Sequence, residues 1–219
     1  MKKQILLLSF VLICSALCAQ DLYQFRIAVA GGYSYRTTIF PANSKSEETK
    51  NGFHYGMELN YYFNETFGLG INYCANHFNS ESTHKWTSVN ILEKVRLQQI
   101  IPTFSVRVFD KQKQGAFLVN IGAGYIDYKS RDFLVDYNNK PRWTSKGWTI
   151  GMLWGIGYDI PISQSMAIYV QASFTGGIIT KSTSIDETTG DIYVSSVDKI
   201  YEGEGIGRIN LSIGLRFAD

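Results

Sequence analysis

Strict alternation of large apolar side chains with small or polar ones recurs along the length of this 219-residue chain. A period of two is the signature of an extended strand, because successive side chains point to opposite faces. In residues 23–35 the odd positions are Tyr23, Phe25, Ile27, Val29, Gly31, Tyr33 and Tyr35. The even ones are Gln24, Arg26, Ala28, Ala30, Gly32 and Ser34. The same pattern returns over 53–63, 67–76, 99–108, 117–125, 148–160, 166–175 and 208–217, eight segments in all. Val95 and Leu97 fall out of phase with the segment that follows them, which predicts a bulge near Gln98-Gln99.

The connections alternate as well. Tight joins are expected at Asn64-Glu65, 110–114 and 163–165, and long polar segments at 38–51, 79–92, 130–145 and 181–204. Within the last of these, 178–186 and 191–201 can pair as a projecting hairpin across Thr189-Gly190. Short turns at one end and long loops at the other, with both termini on the short side, are the asymmetry of a membrane-spanning barrel.

Residues 1–20 read MKKQILLLSFVLICSALCAQ: two lysines, an apolar run to Leu17, then Ala19 before Gln20. This is the pattern of a secretory signal peptide, and the run is shorter than the roughly 20 residues a spanning helix needs. Cleavage is expected after Ala19, leaving 20–219 as a single barrel domain. Cys14 and Cys18 follow Ile13 and Leu17, whereas a lipidated Cys normally follows a small residue. Removal of the leader leaves Cys74 as the only cysteine, so no intramolecular disulfide is expected.

Which face meets which solvent follows from composition. The chain carries 21 Lys and Arg against 19 Asp and Glu, and Lys2 with Lys3 account for the whole excess. Such a balance supplies no basic footprint for nucleic acid. A soluble barrel would point the apolar set inward and cover its outside with charge. Here the alternate set is dominated by Gly, Ala, Ser and Asn, which suits a narrow eight-stranded lumen instead. The apolar set places Tyr23, Tyr33, Tyr35, Phe53, Phe63, Trp148, Tyr158 and Phe217 toward strand ends, where interfacial aromatic rings belong. The fold class expected is therefore all-β: an eight-stranded antiparallel up-and-down transmembrane β-barrel with short periplasmic turns and long extracellular loops.

These segments, the Ala19-Gln20 leader end and the terminal run Leu211-Ser-Ile-Gly-Leu-Arg-Phe217 resemble the small outer-membrane β-barrel superfamily of Gram-negative bacteria. The likeness is to the OmpA-transmembrane and OmpX-like group, and most of all to the porin-family and PorT-like barrels of Bacteroidetes. It implies residence in the outer membrane, contact with outer-membrane lipid and insertion by the barrel-assembly machinery. It also implies that Leu211, Ile213, Leu215 and Phe217 form an assembly signal, although Ala218-Asp219 follow the final aromatic.

Several charged or titratable residues share the inward parity: Arg26, His54, Glu58, Arg107, Arg208 and Arg216. A buried carboxylate needs partners, so Glu58 is expected to form ion pairs with these arginines across the lumen. The resemblance implies the same network as a plug. Catalytic chemistry finds little support. His54 and Glu58 lie about 13 Å apart along one strand, beyond hydrogen-bond reach. His77 and His84 complete no Ser-His-acid set. Ser196-x-x-Lys199 lies in the projecting hairpin rather than at a helix start, and the paired glycines precede no helix. No Cys or His cluster has metal-ligand spacing, and no cofactor is expected. The expected role is structural and interactive, with loops presented at the cell surface. The alternatives are passage of small or apolar solutes through a narrow lumen and, further off, acyl hydrolysis or transfer on lipid.

Overall fold

In the computed structural model, residues 24–37, 51–83, 90–110, 115–134, 141–163, 165–196 and 204–218 are described. The expected leader and signal-cleavage site lie outside them, as do His84, Lys199 and parts of the four long connections. Eight strands form the wall: β1 (Phe25–Thr37), β2 (Asn51–Tyr62), β3 (Phe67–Thr83), β4 (Asn90–Phe109), β5 (Ala116–Leu134), β6 (Pro141–Pro161), β7 (Met166–Gly176) and β12 (Gly207–Ala218). Four short ones lie between β7 and β12: β8 (Ile178–Ile179), β9 (Lys181–Asp186), β10 (Ile192–Ser196) and β11 (Glu204–Gly205).

Each wall strand pairs antiparallel with its sequence neighbour. β12 then pairs with both β1 and β7, and β6 pairs with β7, so the sheet closes on itself. Closure satisfies every ladder hydrogen bond internally, as a lipid surround demands. The closing seam brings backbones close together. A Cβ added at Gly32 would collide with the Leu211 carbonyl oxygen, and one at Gly214 with that of Val29. Glycine at these two positions is what lets β1 lie against β12 in this register.

The tight joins are made as expected where they are described. Asn64 Oδ1 accepts from the amides of Thr66 (2.9 Å) and Phe67 (2.6 Å), an Asx turn that reverses the chain. The Asp110 amide donates to the Gly115 carbonyl at 2.9 Å, and the Ser163 amide to that of Met166 at 3.0 Å.

The exterior is a continuous apolar band. Ile27, Val29, Leu59, Leu69, Ile71, Ile100, Ile150, Trp154, Ile156, Leu211 and Ile213 are all exposed. That would be an aggregation surface in water and is the normal exterior of a barrel in hydrocarbon. Tyr33, Tyr35, Phe53, Tyr55, Tyr125 and Trp148 edge it toward the long connections; Tyr61, Phe63, Phe67, Phe117, Tyr158 and Phe217 edge it toward the short turns.

Two expectations are corrected. No bulge interrupts Gln98-Gln99: the β3–β4 register runs unbroken from Phe67↔Val106 to Thr83↔Asn90. Val95 and Leu97 keep the inward parity of Gln99 and Ile101 and are buried, because the lumen changes from polar to apolar toward that end. A register shift occurs instead at Asp132/Phe133. In the segments expected as loops at 79–92 and 130–145, the described residues (79–83, 90–92, 130–134 and 141–145) are strand. β3, β4, β5 and β6 run to 17, 20, 19 and 21 residues, well past the roughly 9–11 that cross a bilayer.

The expected hairpin is present in shortened form. Strand β10 pairs with residues 181–185 of β9 around a turn in which Gly190 adopts φ 79°. β9 also joins the upper part of β6, from Trp143↔Asp186 to Gly147↔Ser182. The sheet β3–β4–β5–β6–β9–β10 therefore rises past the aromatic edge.

Candidate lumen network and closure

The inward face of each strand supplies the lumen, and its polar residues are joined into one column. At the short-turn end, Arg26 binds two acids. Its Nη1 donates to Glu58 Oε2 at 3.0 Å, and its Nε and Nη2 donate to Asp159 Oδ2 (3.1 Å) and Oδ1 (3.0 Å). The fork geometry suits a planar guanidinium, and all three side chains are buried. Arg216 approaches Asp159 Oδ2 at 3.4 Å. Glu58 also accepts from Tyr169 Oη (3.0 Å), Gln171 Nε2 (2.9 Å) and Asn72 Nδ2 (3.1 Å). Asn72 Oδ1 accepts from Gln99 Nε2 at 2.7 Å, and Gln99 Oε1 accepts from Arg208. Contacts thus run without a gap from Arg216 through Asp159, Arg26, Glu58, Asn72 and Gln99 to Arg208.

Side networks fill the rest. Asn76 Nδ2 donates to Ser34 Oγ (3.0 Å) and Asn210 Oδ1 (2.8 Å). Ser105 Oγ lies 2.8 Å from Asn60 Oδ1 and 2.7 Å from Asn120 Oδ1. The Arg107 guanidinium sits 3.8 Å from the Tyr62 ring centroid and donates to the Glu65 carbonyl at 3.2 Å. That of Arg26 stacks 4.3 Å over Tyr169. Desolvated stacking of this kind stabilises by about 2 kcal/mol.

Above the polar column the lumen is sealed by hydrocarbon. Phe78, Val95, Leu97, Ile126, Tyr128, Ile179 and Ile206 pack together, all buried. Ile179 and Ile206 come from the small β8–β11 sheet and its edge, held by the Ile206 amide on the Gly177 carbonyl (3.0 Å) and by Thr149 Oγ1 on that of Ile178 (2.7 Å). Within the polar network, below the seal, lies a cavity of about 20 Å³ lined by His54, Glu58, Asn72, Gln99, Gln171 and Ser212, among others. That is room for about one water molecule.

Of the six residues expected to line the lumen, all face it, but only Arg26 touches Glu58. Arg208 is fully buried and reaches Gln99; Arg107 stacks on Tyr62; Arg216 goes to Asp159. His54 Nε2 lies 2.7 Å from Ser212 Oγ. A serine and a histidine at that distance resemble a nucleophile and base. Here they stand inside a packed barrel, beside a space too small for an acyl chain, and Ser212 serves to satisfy a buried imidazole.

The charged residue that sequence reasoning left out of the network is Asp159; the neutral Asn72, Gln99, Tyr169 and Gln171 were left out as well. Asp159 ends the inward series Gly151, Leu153, Gly155, Gly157 on β6, and an acid on that parity was the available signal. Its partner Arg26 is 133 positions away in the chain, which no local pattern reveals. Among the described residues, no group of three or more His, Cys, Asp or Glu is placed to hold a metal.

An eight-stranded closed sheet with an apolar belt, aromatic edges and a packed polar lumen is the class of small outer-membrane β-barrels, and that is this chain's fold. Solved structures agree. Neisserial surface protein A superposes with a TM-score of 0.53 at 11% identity, covering 89% of this chain and 97% of that one. A major outer membrane protein of Thermus thermophilus gives 0.56 at 10%, with 89% and 99% covered. OprG of Pseudomonas aeruginosa gives 0.51 at 7%, with 91% and 99% covered. No family model and no curated relative matches the sequence.

Proposed function

We propose that this protein is a closed, non-enzymatic barrel of a Gram-negative outer membrane that presents its raised sheet and connecting segments to the cell exterior. The observation that carries the reading is the doubly blocked lumen, polar column below and apolar seal above, beneath strands far longer than a membrane needs. At about 3.3 Å per residue, the roughly 8–10 surplus residues of β4 to β6 extend the sheet by about 30 Å along the strand. A rigid platform of this kind suits recognition, since it holds exposed segments in place at little entropic cost. Export follows a leader removed near Ala19, and insertion uses the terminal strand, with Leu211, Ile213, Leu215 and Phe217 read by the assembly machinery.

Three measurements test this. In planar bilayers the wild type should show no unitary conductance. Glu58→Ala and Leu97→Ala should each remain closed, since either layer suffices, and the double variant should open. An open wild type refutes the closed barrel and favours solute passage. For presentation, Thr188→Cys at the hairpin tip should react with a membrane-impermeant maleimide on intact cells while buried Cys74 stays silent. Failure to label the folded variant refutes the orientation. Purified barrel incubated with lipid A or phospholipid should leave the acyl chains unchanged.

A further inference from the structure

Directly above the aromatic edge, one rung of the sheet places three cations side by side on the outer face. Arg96 of β4 pairs with Lys129 of β5, and Lys129 pairs with Lys146 of β6; His77 of β3 continues the rung on the other side of Arg96. The next outward rung pairs Lys94 with Arg131. Side chains directly opposite on one face have Cβ atoms about 5 Å apart, and like charges there are destabilising. Five cations thus crowd a patch of roughly 10 Å by 7 Å. Lys94, Arg96, Arg131 and Lys146 are exposed and Lys129 half-buried. Partial desolvation, together with Arg131, Lys146 and Arg96, holds the Lys129 ammonium below its ordinary range.

Among the described acids near the patch, Asp127 alone shares its face, and it offsets the repulsion on Lys129 only in part. Glu93 and Asp132 lie on the opposite, inward parity and share the hydroxyl of Ser130, at 2.9 and 3.3 Å. On the outer face Asp127 lies one rung lower, between Gln98 and Trp148. Below it, Tyr125 stacks against Trp148 with centroids 6.0 Å apart, and Ile100 and Ile150 begin the apolar band.

We infer that Arg96, Lys129 and Lys146, with Lys94 and Arg131, bind the phosphate groups of a phosphorylated glycolipid in the outer leaflet. Guanidinium and ammonium groups are the natural partners of phosphate, and an anion bridging the rung converts repulsion into attraction. The apolar surface continuous with the patch fixes the source. A lipid can lay its acyl chains along Ile100, Tyr125 and Ile150 while its phosphates meet the cations, whereas a free anion uses the upper half alone. The assignment rests on the barrel residing in a bilayer.

The test uses the full-length barrel refolded into phosphatidylcholine vesicles, alone or with a minor fraction of bisphosphorylated lipid A or its dephosphorylated form. Unfolding is followed by the loss of heat-modifiable gel mobility. The unfolding midpoint should rise with bisphosphorylated lipid A only. The variant Arg96→Gln/Lys129→Gln/Lys146→Gln should lose that rise yet match or exceed wild type in plain phosphatidylcholine, because repulsion is relieved. Lys113→Gln, in the connection between Asp110 and Gly115 at the opposite end of the barrel, should keep it, and Lys129→Gln alone should weaken it, which preserves the test if the triple variant does not fold. An equal rise with dephosphorylated lipid, or a rise retained by the triple variant, overturns the site. A rise produced by soluble inorganic pyrophosphate in plain vesicles overturns the lipid as ligand. Failure of the wild type to insert into any vesicle overturns the membrane reading instead.

Discussion

Replacing Glu58 by Gln keeps the side-chain volume and removes one charge from the centre of the column. In the folded barrel its two oxygens take bonds from Arg26, Asn72, Tyr169 and Gln171, all within 2.9–3.1 Å. An amide retains one acceptor oxygen and turns an NH₂ group toward Arg26 and Tyr169, which are themselves donors. Breaking a buried ion pair by removing one partner costs about 3–5 kcal/mol. Arg26 keeps its two bonds to Asp159, which lowers the loss of the pair to about 2 kcal/mol, while the mismatched Tyr169 donor adds about 1 kcal/mol. The expected destabilisation is therefore about 3 kcal/mol. It is measured by reversible urea unfolding in lipid vesicles, and a double-mutant cycle with Arg26→Met isolates the coupling. A loss under about 1 kcal/mol, or no coupling to Arg26, would refute the claim that this carboxylate anchors the column.

Other consequences are equally accessible. Burial, and then the charge of Glu93, raise the Asp132 carboxyl from 3.8 to about 6, against an opposing bond from Ser130. Because the folded value lies above the unfolded one, its contribution to the β4–β5 extension is complete below pH 3.8 and disappears as pH rises through about 6. Amide exchange there, corrected for intrinsic rates, should slow between pH 7 and pH 5 by an amount equivalent to about 1 kcal/mol after solvent screening, and Asp132→Asn should abolish the effect. Trp154→Arg, in the middle of the exterior band, should destabilise the barrel in vesicles by about 2–4 kcal/mol. A neutral result would mean that the face meets water. Gly214→Ala should cost about 1–3 kcal/mol by forcing β12 from the Val29 carbonyl, with a slower folding rate if seam closure limits folding.

How far the sequence could be read depended on the range of the interactions involved. Alternation marked the wall strands, because lipid outside and a narrow lumen inside impose opposite demands on successive side chains. It also separated Arg26, Glu58, Arg107, Arg208 and Arg216 from the apolar set on parity alone. The same logic misread Val95 and Leu97, since a rule that inward means polar fails where the lumen itself turns to hydrocarbon. Polar composition at 79–92 and 130–145 suggested loops, although a strand above the membrane with a solvated face carries that composition too.

From the sequence alone came the strand period, the inward and outward faces, the tight turns and the expectation of a membrane-facing exterior, all of which depend on near neighbours in the chain. Only the folded barrel decided that Asp159 would meet Arg26, that β9 would extend β6, that two isoleucines would cap the lumen, and that Arg96, Lys129 and Lys146 would share a rung. Those outcomes are set by register and closure. Register is a property of paired strands, and it brings together residues that no local pattern relates.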